Sequence, residues 1–321
     1  MGMKKGMIFG GIILLIALCA AVIIIYSPKQ KAITNPIVTN PIETQKEAGP
    51  KTSGETAPVF TKEIYPKVDG ATAMIPLGGE IAKTLLKMSP EEAKAFIKFS
   101  TTHPAYVNLI EKKADIVLAF GPSEDEKNLA KSKGEELEII PIGRDGFIFM
   151  ANVENPVTNL TVKQIQDIYQ NKIANWKEVG GEDAQILAYQ RPQNSGSQTS
   201  MERLVMKDIK MPSIPTKVVE TMGGAIEKVA VEPGAKNSIV YSFYYYAKEM
   251  YAKKEARFMA VNGILPSTKT IKDKSYPFTE DVCAVIRKSE PKDSSARKLI
   301  EWLLSDEGQK VVERGGYVKI K

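Results

Sequence analysis

From Val59 onward, short apolar runs of strand length alternate with stretches of helical period. That alternation selects an α/β fold over a sandwich or a helix bundle. Strand candidates cover residues 114–120, 138–142, 146–153, 185–189, 237–243 and 280–287. Between them lie helices with readable starts: Ser89 ahead of Pro90-Glu91-Glu92, Thr161 ahead of the pattern reaching 170, and Ser295 opening one that ends at Gly315-Gly316. The 321 residues allow one large or two medium domains. No internal repeat interrupts them.

Ahead of this body, Met7 to Tyr26 is a run of twenty uncharged residues, the length a helix needs to cross the hydrocarbon core. Lys4 and Lys5 precede it, which predicts an N-terminus in the cytoplasm and a chain body outside. A cleaved signal peptide is the rival, against which stand the run's length and the lack of an Ala-x-Ala site; lipidation at Cys19, preceded by Leu18, is a third reading. Residues 27–57 carry Pro28, Pro36, Pro41 and Pro50 among polar residues and have neither period, so they read as a disordered tether.

Composition removes several functions. The net charge of +6 comes from interleaved signs rather than basic runs, which argues against nucleic acid as a partner. One His and two Cys, at 19 and 283, make no zinc site, disulfide framework or Cys-x-x-Cys pair, so no metal or cofactor is expected. A serine hydrolase would have only His103 as imidazole and lacks a Gly-x-Ser-x-Gly elbow, and no phosphate-loop motif of a nucleotide hydrolase occurs. No catalytic residue is assigned, and the chain is read as a non-enzyme.

What remains is anion chemistry. Arg191 stands four residues before Ser195-Gly196-Ser197, which open a helix through MERLVM. Hydroxyls and unpaired N–H groups at a helix start, beside a guanidinium able to grip an oxyanion in two-pronged fashion, make an anion site. The local alternative is an ordinary serine cap with a surface arginine. Thr72 and Ala73, ahead of the helix that Pro76 begins, and Thr101 or Thr102, ahead of Pro104, repeat the theme; each also reads as a plain turn or cap. The aromatic block 241–246 reads as core and cleft wall rather than a stacking platform.

Residues 155–205 resemble the phosphate-binding proteins of phosphate ABC importers, within the type II periplasmic-binding-protein superfamily. Blocks at 69–77, 101–126, 238–250 and 302–318 agree in order, including Asn175-Trp176 before Val179-Gly180-Gly181. The resemblance implies a two-lobed α/β fold behind the N-terminal transmembrane helix, with 58–147 and 238–321 as lobe 1 and 148–237 as lobe 2. It implies that Arg191, Ser195, Gly196 and Ser197 grip phosphate, joined by Thr72, Ala73 and Thr101 or Thr102. It also implies a monomeric receptor that hands an inorganic oxyanion, phosphate first, to an ABC permease outside the cytoplasm. The alternative is a membrane-anchored sensor or interaction protein with altered anion specificity. One departure stands out: where similar receptors carry an acidic side chain to accept the ligand's proton, this chain has Phe120-Gly121, leaving Glu124, Asp125 or Asp145 as candidates.

Overall fold

The computed structural model describes residues 58–320 apart from 213, 215 and 216. The expected anchor at 1–26 and tether at 27–57 lie outside the described residues; among those described, no helix is long and apolar enough to cross a membrane. The chain begins with β1 (Val68–Gly70), α1 (Ile75–Leu85), α2 (Pro90–Phe96), α3 (Thr102–Ile110), β2 (Ile116–Ala119) and α4 (Glu124–Ser132). A single long strand follows, β3 (Leu137–Asn152), then β4 (Asn159–Leu160), α5 (Val162–Tyr169), β5 (Leu187–Ala188), α6 (Gly196–Ser200) and α7 (Met222–Ala230). The chain closes with β6 (Ser238–Phe243), β7 (Ala256–Phe258), β8 (Ala260–Val261), α8 (Thr268–Lys272), β9 (Thr279–Arg287), α9 (Ser295–Leu303) and α10 (Asp306–Arg314).

β3 belongs to two halves of one mixed sheet, ordered β1-β2-β9-β3-β6-β5 with β7 also on β3. Its residues up to Gly146 pair with β9, and from Phe147 onward it pairs with β6 and β7. The sequence separates 138–142 from 146–153 at residues 143–145, where Gly143 and Asp145 look like turn residues. They are held extended by β9 and take a bulge between Pro141 and Gly143 instead. β2 is buried throughout and flanked by β1 in parallel and β9 antiparallel, which accounts for its unbroken apolar run. The sequence reading groups 238–278 with the first lobe, whereas β6 and β7 pair with the second half of β3, and β8 with β4.

Local chemistry starts the helices. Ser89 Oγ accepts the Glu92 N–H at 3.2 Å while Glu92 returns a carboxylate to the Ser89 N–H at 2.8 Å, a reciprocal cap contributing about 1 kcal/mol. Thr161 and Gln164 do the same for α5. The helix expected over 295–314 is two helices: Ser305 caps a second one by accepting the Gly308 N–H at 3.2 Å, so the pattern breaks at Leu304.

Candidate functional site

Four helix starts face one cavity of about 350 Å³. β1 delivers the first: Ala71 leads into a 3-10 turn at Thr72–Met74 that runs into α1, so the helical start lies at Thr72 rather than at Pro76. The second is Thr101–His103 at α3, the third Ser195–Ser197 at α6, and the fourth Thr221–Met222 at α7. First-turn N–H groups have no intrahelical acceptor, so the four starts bring open amides and the positive ends of peptide dipoles together. α6 does not end at Ser200 but passes into a π-helical turn, Met201–Met206.

Arg191 occupies the centre, 8% exposed. Its backbone N–H donates to Tyr241 Oη at 2.9 Å and its Nε to the Val219 carbonyl at 2.7 Å. Nη2 donates to the Glu220 carbonyl at 2.8 Å and Nη1 to Ser197 Oγ at 3.1 Å. None of these acceptors is a carboxylate, and among the described residues Arg191 forms no ion pair. Burial draws its pKa below the ordinary guanidinium value, with Glu220 on the same cavity wall opposing that at longer range; a guanidinium keeps its proton, so the cavity wall carries a buried cation without a direct ion-pair partner among the described residues. Ser197 accepts from Arg191 and therefore has its own hydrogen left to donate.

Two starts touch directly. A Cβ at Gly196 would lie 2.8 Å from Thr102 Oγ1, so glycine is what lets α6 approach α3. Thr101 holds φ 75°, ψ 170°, a conformation rare for a β-branched residue. The neighbouring Ser100 is pinned by Asp69, whose carboxylate accepts the Ser100 N–H at 2.8 Å, the Ser100 hydroxyl, and Asn108 Nδ2 at 2.8 Å. Asp69 thus ties the loop after β1 to the loop before α3.

All eight residues singled out by sequence line this one cavity: Thr72, Ala73, Thr101, Thr102, Arg191, Ser195, Gly196 and Ser197. The sequence reading missed Glu220, Thr221 and Met222, although Thr221 before Met222-Gly223-Gly224 is a legible cap. It also missed that Tyr241 sits under Arg191, while Phe243 and Tyr246, from the block read as core and cleft wall, do line the cavity. None of the three candidate proton acceptors lines it. Glu124 is exposed and paired with Lys127 at 2.6 Å, and Asp125, also exposed, accepts Asn194 Nδ2 at 3.0 Å. Asp145 is buried at the Gly146 junction of β3. Phe120 is stacked on Phe243 with ring centroids 3.7 Å apart.

A family model described as a PBP superfamily domain matches residues 61–307. The chain belongs to the PBP superfamily. Its mixed α/β architecture is the two-lobed fold of that superfamily. The phosphate-binding protein PstS of Borreliella burgdorferi is 31% identical over 183 residues, which span 55% of this chain and 64% of that one. PstS of Staphylococcus epidermidis is 27% identical over 78% of each chain. A crystal structure from Clostridium perfringens, of a protein assigned to phosphate ABC transport as its substrate-binding component and carrying bound phosphate, shares 25% identity, with a TM-score of 0.62. The alignment covers 79% of this chain and 98% of that one. In this superfamily member the cavity is lined by helix starts and one arginine, and the described residues hold no cluster of metal-binding side chains.

Proposed function

We propose that this chain is the extracytoplasmic substrate-binding protein of a phosphate ABC importer. It takes up inorganic phosphate in the cavity at Arg191 and delivers it to a membrane permease without covalent chemistry. The observation that carries this reading is the buried Arg191 guanidinium, whose protein acceptors are all neutral, at the meeting point of four helix starts. A desolvated cation without a direct ion-pair partner is costly, the Glu220 side chain lying exposed at the cavity edge rather than against it, and an oxyanion supplies the close counter-charge while accepting from the open amides. The names of the curated relatives and the phosphate in the Clostridium perfringens structure support phosphate as the anion.

Arg191, Ser195, Gly196, Ser197, Thr72, Ala73, Thr101 and Thr102 are the ligand-binding set, with Thr221 and Met222 added from their place on the cavity wall. The strand pairings support lobes made of residues 58–146 with 279–320, and of 147–278, the chain crossing between them at Gly146 and again ahead of β9. The protein acts as a monomer, anchored by the uncharged run from Met7 to Tyr26 and reaching its permease on the tether at 27–57. Arg191→Ala tests the reading: phosphate affinity measured calorimetrically on the full chain falls about a hundredfold, roughly 3 kcal/mol. Unchanged affinity would place the site elsewhere.

A further inference from the structure

We infer that His103, oriented by the buried Glu126, senses the proton on the bound oxyanion and so separates phosphate from sulfate, a reading that rests on the anion site proposed above. His103 is the second residue of α3 and lines the cavity. Its Nδ1 lies 3.0 Å from Glu126 Oε1, and among the described residues Nε2 has no protein partner. Glu126 is 1% exposed and is fixed from a second side by the Ser123 N–H, which donates to Oε2 at 2.8 Å. Burial raises the Glu126 carboxyl above its ordinary value, while the Ser123 N–H and His103 oppose that rise. The ionised form of the carboxylate is therefore favoured first by the Ser123 N–H and then by its imidazole partner.

A carboxylate at Nδ1 selects the tautomer protonated there and leaves a lone pair on Nε2. Hydrogen phosphate brings a P–OH that must find an acceptor once buried, and that lone pair supplies one. Sulfate brings no proton, so its oxygens meet the lone pair unfavourably. When Nε2 carries a proton the discrimination is lost, because the imidazolium donates to either anion and adds positive charge.

Apart from Glu220, the other charged or titratable groups facing this place do not accept from inside the cavity as His103 does. Arg191 only donates, and the Tyr246 hydroxyl is engaged by the Gly223 N–H. Behind Glu126, Tyr106 donates to the Phe120 carbonyl at 2.6 Å, and Arg203 is paired with Glu280. Asp125 on α4 is taken up by Asn194. Glu220 is exposed at the cavity edge and is the rival acceptor.

The test is calorimetric titration of the full chain, kept in mild detergent and stripped of ligand, with phosphate and with sulfate at about pH 8 and about pH 5.5. His103→Phe, Glu220→Gln and Arg191→Ala are measured alongside. His103 is the chain's only histidine, so its ring nitrogens are also followed by 15N NMR in the wild type. Wild type is expected to favour phosphate at the higher pH and to gain roughly tenfold for sulfate at the lower. His103→Phe loses about tenfold for phosphate at the higher pH, together with the pH response of sulfate binding. The Nε2 resonance shifts on adding phosphate but not sulfate at the higher pH, and Arg191→Ala weakens both anions at both pH values. His103→Phe behaving as wild type, an Nε2 resonance indifferent to phosphate, or Glu220→Gln producing these changes instead would overturn the role of His103 while leaving the anion site standing. Wild type binding neither anion would overturn both.

Discussion

Thr101 is the residue at which the site stores strain. A β-branched side chain at φ 75°, ψ 170° costs about 1–3 kcal/mol and persists because the flanking backbone is fixed. Asp69 holds Ser100 on one side, and the Thr101 carbonyl accepts the Ala105 N–H at 3.0 Å on the other. Thr101→Gly is therefore expected to stabilise the protein by about 1 kcal/mol in urea unfolding, the relief of strain exceeding the roughly 0.5–1 kcal/mol of added unfolded-state entropy. Thr101→Ala keeps the strain and gains nothing, so equal stabilities for the two variants would refute the account. This strain is illegible in the sequence because its cause, Asp69, lies 31 residues before Ser100. Arg191 and Ser195-Gly196-Ser197 are legible because hydroxyl, glycine and guanidinium sit within one local motif whose chemistry is independent of the rest of the chain.

At the scale of elements, the site depends on how closely the starts of α3 and α6 approach. Gly196 sets that distance, since an added Cβ would meet Thr102 Oγ1 at 2.8 Å. Gly196→Ala should push the two starts apart and weaken phosphate binding by about tenfold, through lost alignment of amides on both sides. Calorimetry checks this, and a simultaneous drop in thermal stability of more than a few degrees would show instead that the substitution damages the fold. Helix starts such as those at Ser89 and Thr161 were readable because each cap accepts from the N–H three residues on, a bond local in sequence. Element continuity was not. Gly143, Asp145 and Gly146 stay in β3 because of β9, more than 130 residues later, and α9 and α10 are separated by a second serine cap inside one helical pattern.

Across the whole molecule, the two halves of the sheet share β3, and the residue at the junction is a buried acid. Asp145 accepts the Gly146 N–H at 2.8 Å and the Tyr245 N–H at 3.3 Å, and burial nonetheless raises its pKa to about 8. A second link spans the same junction: Arg203, on the turn after α6, pairs with Glu280 on β9, and burial raises the Glu280 carboxyl against the pull of that arginine. The sign for Asp145 follows from proton binding. The folded chain keeps the proton while the unfolded chain, with an ordinary carboxyl, releases it, so this contribution is complete at low pH and is lost as pH rises toward about 8. Each pH unit in that window removes up to about 1.4 kcal/mol. Asp145→Asn retains an oxygen for both amides and has no proton to release. Its stability relative to wild type should therefore rise steadily from about pH 5 to about pH 8 in urea unfolding, by several kcal/mol in total. A difference between the two proteins that stays constant with pH would mean that Asp145 is ionised in the fold, and that the junction between the halves holds a charge rather than a neutral hydrogen-bonding group.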